Sequence, residues 1–128
     1  MIYLDTSVLL AQLFSEDRHP DDPFWNQTLV SSRLLEYEIW TRIHGRRLTG
    51  SHGEAARSLI GRIAFLELAP PVLARALEPF PAPVRTLDAL HLASVLFLRA
   101  REKSIRLASY DERQIAAARR LRIRVTRP

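Results

Sequence analysis

Residues 1–14 read MIYLDTSVLLAQLF, and the order of residue types within them decides how the chain folds. Ile2, Tyr3 and Leu4 form a short apolar run that suits a buried strand. Asp5, Thr6 and Ser7 carry the short side-chain oxygens favoured at helix N-caps, and an apolar stretch over residues 8–14 follows. The reading is strand, tight turn, helix. The same grammar returns at residues 104–126, SIRLASYDERQIAAARRLRIRVT: a strand closing in a cap at Asp111, a helix, and a last strand.

Between these ends, residues 15–27 (SEDRHPDDPFWNQ) are acidic and broken by Pro20 and Pro23, which predicts a loop or a short helical turn. TLVSS, 28–32, reads as a second buried strand. Residues 32–47 suit a helix, and residues 51–68 (SHGEAARSLIGRIAFLEL) read as another, capped by Ser51 and packed on the first. Five prolines fall in residues 69–85, leaving room for a short helix over 72–77 in a connection between two halves. TLDALHLASVLFLRARE, 86–102, is the most hydrophobic helix; Thr86 is its expected cap, and its apolar faces imply burial between layers. Strands alternating with helices make an α/β fold, a parallel sheet of four to five strands with helices on both faces, because right-handed crossovers place helices there.

The 128 residues suit one domain, and 47% hydrophobic with 26% charged residues is a globular balance. With no cysteine, the chain has no disulfide, thiolate zinc site or cysteine nucleophile, and its four histidines are too scattered for a zinc cluster. The start lacks the basic stretch and cleavage site of a secretory signal, and no apolar run reaches membrane-spanning length, so a cytoplasmic location without membrane contact is expected. The net charge of +5 is almost wholly arginine, Lys103 being the one lysine, and phosphate is a natural partner for that inventory. Arg-rich composition also follows from genomic base content, so charge alone decides nothing.

The carboxylates are more informative. In a parallel sheet the residues just past the carboxyl ends of the strands gather in one crevice. Asp5 follows the first strand, Asp111 follows the strand before the last helix, and Asp88 opens the buried helix in its first turn. Taken singly, each has a local explanation: an N-cap contributes ~1 kcal/mol and a first-turn acid roughly 0.3–1 kcal/mol. Jointly, three of the six aspartates stand at such junctions, whereas Asp17, Asp21 and Asp22 lie in a solvated loop. Such hard oxygen ligands suit Mg²⁺ or Mn²⁺, and the corresponding chemistry is phosphodiester hydrolysis, with bound metal activating a water and neutralising charge on the phosphate. On the second helix, Glu36 and Glu38 are both available, and periodicity does not choose between them. Glu38 also has an ordinary reading as half of an i,i+4 pair with Arg42.

YLDTSVLL near the start, SSRLLEYEIWTRI, RTLDALHLASVL and ASYDERQIAAARRLRI together resemble the PIN-domain family, in its VapC-type toxin branch, over essentially the whole chain. The resemblance implies a PIN-like three-layer sandwich spanning residues 1–128. It also implies a metal-dependent endoribonuclease in which Asp5, Glu38, Asp88 and Asp111 bind Mg²⁺ or Mn²⁺, with Glu38 preferred over Glu36. Ser7 and Ser109 occupy the places of supporting hydroxyls, Thr6 is a weaker candidate, and Arg113 is placed to meet substrate phosphate. The implied partners are an RNA substrate, a small VapB-like antitoxin and a second copy in a homodimer. His91, alone on an apolar helix, reads as a core residue with a satisfied hydrogen bond. Arg122 departs from the family by standing where relatives carry the glycine that ends the helix. Two rivals remain: a PIN-like nuclease in RNA processing without an antitoxin, and a non-catalytic module, whose expected mark would be a missing acid.

Overall fold

A computed structural model describes residues 1–128. Five strands, β1 (Ile2–Leu4), β2 (Leu29–Ser32), β3 (Ala64–Leu66), β4 (Arg106–Ala108) and β5 (Arg124–Thr126), form one sheet in the order β3-β2-β1-β4-β5. Every pairing is parallel, with Ile2 opposite Leu29 and Arg106, and Leu4 opposite Ala108. Six helices connect and cover it: α1 (Thr6–Leu13), α2 (Leu34–Gly45), α3 (Thr49–Ile60), α4 (Pro70–Ala76), α5 (Thr86–Arg99) and α6 (Glu112–Arg120).

The alternation of β1 sorts the two cores. Ile2 and Leu4 face a cluster with Val8, Leu9, Leu35, Ile39, Ile43 and Ala56 from α1, α2 and α3. Tyr3 faces the opposite cluster, with Leu92, Val95, Ala117 and Ala118 from α5 and α6. Period-two side-chain direction thus turns three apolar residues into the shared wall of both layers. The result is the expected three-layer α/β sandwich, with the strand count settling at five.

Three local expectations are corrected. The helix expected over 51–68 begins at Thr49 and stops at Ile60; Ser51 lies inside its first turn, where its hydroxyl donates to Leu48 O at 3.3 Å, so it is not the cap. The end of that segment is instead edge strand β3, paired with β2. Thr86 is likewise the first helical residue and not the cap of α5, because extended Arg85 holds the cap position and gives its N–H to Asp88 Oδ2 at 3.4 Å. Helix α4 starts at Pro70, earlier than expected; prolines in a first turn cost nothing where backbone N–H groups are unpaired anyway. Residues 22–26 form the short helical turn, a 3₁₀ one, capped by Asp21.

Candidate active site

Because β1 and β4 are neighbours in parallel, the residues leaving their carboxyl ends emerge side by side. Asp5 donates its N–H to Ala108 O at 2.9 Å, the last such bond before both chains turn into helices. Helix α2 leaves β2 on one side, and α5 brings its N-terminus in from the proline-rich connection. Asp5, Glu38, Asp88 and Asp111 consequently line one cleft of about 510 Å³, with Thr6, Ser7, Arg42 and Arg85 among its other walls. The structure therefore brings together all four acids singled out in the sequence. It leaves out Glu36, which is tied to Arg33.

Asp5 is 6% exposed, so its charge must be met by hydrogen bonds. As N-cap of α1 it accepts from Ser7 N at 3.4 Å, and the hydroxyls of Ser7 and Ser109 donate to the same oxygen, Oδ2, at 2.6 and 2.9 Å. Both serines also accept backbone donors, each at 3.0 Å: Ser7 Oγ from Tyr110 N across the gap between the two exits, and Ser109 Oγ from Asp111 N within its own turn. The two hydroxyls expected to support the site thus fix Asp5 Oδ2 and lock the β1 and β4 exits together. Asp111 caps α6, with Oδ1 accepting Arg113 N at 2.9 Å and Gln114 N at 3.4 Å. No hydrogen bond within the molecule engages Asp5 Oδ1 or Asp111 Oδ2.

Glu38 is held by a different set. Its Oε1 accepts from Thr6 Oγ1 at 2.7 Å and lies 2.6 Å from His91 Nε2. His91 is buried, its Nδ1 2.7 Å from the Tyr3 hydroxyl, which in turn accepts Ser32 N at 3.2 Å. Every group is satisfied when Tyr3 donates to Nδ1 and Nε2–H donates to Glu38. Burial opposes protonation of His91, but the Glu38 hydrogen bond and the charges of Asp5, Glu38 and Asp88 outweigh it and raise its pKa. The reading of His91 as a satisfied core residue holds. What the sequence did not reveal is that its partner is a cleft acid, nor that Thr6 serves Glu38 while Ser7 serves Asp5. No ion pair joins Glu38 to Arg42, so the ordinary i,i+4 reading of that pair is set aside.

Asp88 carries the strain of this gathering of charge. Burial raises its pKa, the neighbouring Asp111 and Asp5 push it further up, and the Arg85 N–H and His91 pull it partly back. The donor set is all carboxylate oxygen, yet no three Asp, Glu or His side chains close into a ready-made chelate. Oxygen donors of this kind suit a hard cation such as Mg²⁺ or Mn²⁺ better than zinc. Arg113 does not line the acid cleft: its side chain borders a neighbouring hollow with Pro83, Val84 and Arg85. Arg42 and Arg85 do line the acid cleft. The signal for Arg85 was its place immediately before the helix that carries Asp88.

The model for the PIN domain matches residues 2–120 of this chain. Ribonuclease VapC47 of Mycobacterium tuberculosis is 32% identical over a 126-residue alignment covering 93% of this chain and 90% of that protein. Among solved structures, a toxin–antitoxin complex from Klebsiella pneumoniae superposes with a TM-score of 0.69 over 100% of this chain and 98% of that one; at 14% identity this likeness speaks to the fold alone. A parallel sheet of this order, four acids at its carboxyl edge and these matches agree, and the chain belongs to the PIN-domain family, in its VapC branch.

Proposed function

We propose that residues 1–128 act as one PIN domain, a metal-dependent endoribonuclease and the toxin of a VapBC-type toxin–antitoxin pair. The observation that carries this reading is the convergence of Asp5, Glu38, Asp88 and Asp111, drawn from four different elements, on one polar cleft. Mg²⁺ or Mn²⁺, held by these four carboxylates, would supply activation of a water and neutralisation of charge on the scissile phosphate. The chain's own residues do the rest. Ser7 and Ser109 fix Asp5 through Oδ2, leaving Oδ1 for the cleft. Thr6 and His91 fix Glu38, so its free oxygen keeps a set direction. Arg42 and Arg85 bring positive charge to the cleft wall, where phosphate oxygens of RNA would lie, and Arg113 extends that charge along the rim.

The VapC relative and the family assignment support a small VapB-like antitoxin as inhibitor. A homodimer is supported by an apolar surface on α4 and the connection from it to α5, where Leu77 is 90% exposed near Leu73, Phe80 and Val84. No helix is long and apolar enough to cross a membrane, and a cytoplasmic site of action belongs to the same reading.

The test is cleavage of RNA in Mn²⁺ by the parent, Asp5→Asn and Asp88→Asn, once each is shown to be folded. Asparagine keeps the cap at Asp5 and removes the charge, so both variants are expected to lose at least about a hundredfold in rate while still melting cooperatively. Equal activity in all three would remove the mechanism.

A further inference from the structure

Beside the acid cleft lies a second hollow, also of about 510 Å³, lined by Leu34, Tyr37, Thr41, Arg42, Arg46 and Leu87, with Glu38 and Gly45 completing it. Glu38, Arg42 and Leu87 line both hollows, so the second is a lateral continuation of the first. Tyr37 is 69% exposed, belongs to neither core and makes no hydrogen bond within the molecule. A large aromatic left in water has no packing role that would account for it. Thr41 and Gly45 follow Tyr37 at helical spacing along α2, leaving the ring a low, open neighbourhood. Leu87, 46% exposed, faces it from α5. Arg42 and Arg46 stand one turn apart beside it; Arg42 has no ion-pair partner, and Arg46 lies over the Phe14 ring at 5.2 Å.

We infer that this hollow is a nucleotide subsite, in which an unpaired base next to the scissile phosphate stacks on Tyr37 while Arg42 and Arg46 track the adjoining backbone; the inference rests on the ribonuclease reading. The chemistry favours a base over a peptide side chain because the hollow is continuous with the cleft that would hold the phosphate, and two of its three charged lining residues, Arg42 and Arg46, are cationic. A flat π-face on one side and a cationic edge on the other is how single-stranded nucleic acid is held without base-specific hydrogen bonds. A base inside a duplex is already stacked on both faces and has none to offer. The subsite therefore selects an unpaired nucleotide, and Tyr37 acts as a positioning residue, holding the strand in register with Glu38.

The experiment uses the Asp5→Asn chain in EDTA, so that neither cleavage nor metal enters the readout. A short, labelled single-stranded oligoribonucleotide of mixed sequence is titrated at fixed low salt and followed by fluorescence anisotropy. Adding Tyr37→Ala is expected to weaken binding by about five- to a hundredfold, and adding Tyr37→Trp to stay within about twofold of Tyr37. On an oligomer of equal length with abasic riboses, Tyr37→Ala and Tyr37 are expected to bind alike. Unchanged RNA affinity in Tyr37→Ala would overturn the subsite, as would an equal loss on the abasic chain. So would retained RNA binding together with loss of the antitoxin complex, which would give the groove to a protein. In parallel, Mn²⁺-dependent cleavage separates the two proposals. A parent that cleaves, with KM unaltered by Tyr37→Ala, overturns the subsite alone; a parent that fails to cleave any RNA overturns the ribonuclease reading.

Discussion

The Tyr3 hydroxyl joins two neighbours: it accepts Ser32 N at 3.2 Å and lies 2.7 Å from His91 Nδ1. Burial raises the hydroxyl's pKa strongly, so it stays neutral at any working pH. Tyr3→Phe keeps the ring in its core cluster but removes the hydrogen-bond partner of Ser32 N and of the buried His91 Nδ1. A loss of about 1–3 kcal/mol is expected, read as a lowered urea midpoint with unchanged slope. An unshifted midpoint would show that the chain from Ser32 to Glu38 carries no stability. These links were invisible in the sequence for a plain reason: Ser32 is 29 positions from Tyr3 and His91 is 88 away, and an apolar strand pattern says which residues are inside but not what a buried hydroxyl touches. Asp5, Asp88 and Asp111 were legible because each stands at a junction that the pattern itself marks. Glu38 was not, since Leu34, Leu35, Tyr37, Ile39 and Trp40 surround α2 and erase any polar face; the resemblance pointed to it, and the cleft contains it.

Among the elements, the helix ends show a common device. Ser15, Arg47 and Arg122 have φ of 49°, 56° and 59°, in the left-handed region where a side chain costs energy. Each follows a helix whose last carbonyls are taken by the next N–H groups: Arg122 N bonds Arg119 O and Ile123 N bonds Ala118 O, both at 2.9 Å, with the same pattern at Arg47 and Ser15. Arg122 thus ends α6 in a backbone conformation that glycine adopts at no steric cost. The strain of ~1–2 kcal/mol exceeds the ~0.5–1 kcal/mol of extra chain entropy that glycine brings. Arg122→Gly is therefore expected to stabilise the fold by a few tenths to about 1 kcal/mol, measured by denaturant unfolding; destabilisation would mean the exposed side chain contributes a contact worth more than the strain. Strand β3 escaped the sequence reading for a related reason. Ala64, Phe65 and Leu66 follow α3 after only Gly61–Ile63, and three residues at a sheet edge are too few to display an alternation that distinguishes them from another helical turn. The proline-rich connection, by contrast, announced α4 within two residues at its start.

At the scale of the whole molecule, a chain of net charge +5 concentrates negative charge at one place, the carboxyl edge of its sheet. Asp88 registers the cost. Its folded-state pKa lies above its unfolded value, so the folded chain holds that proton more tightly, and the stability linked to it is greatest at low pH and is lost as pH rises through the raised value. With divalent ions chelated, Asp88→Asn is accordingly expected to be more stable than the parent near pH 7, with the difference shrinking as pH falls toward 4. Thermal melts across that range check it; a gap that widens on acidification would reverse the assignment of sign. The strand order has a consequence in time as well as in space. β1 lies in the middle of the sheet and pairs with β4, whose residues 106–108 follow it by more than a hundred positions. Closing so long a loop is slow, and during translation it cannot begin until the partner segment has emerged. During translation Asp5 accordingly stays apart from Ser109 and Asp111 until β4 has emerged from the ribosome, and whatever the acids do is withheld until then.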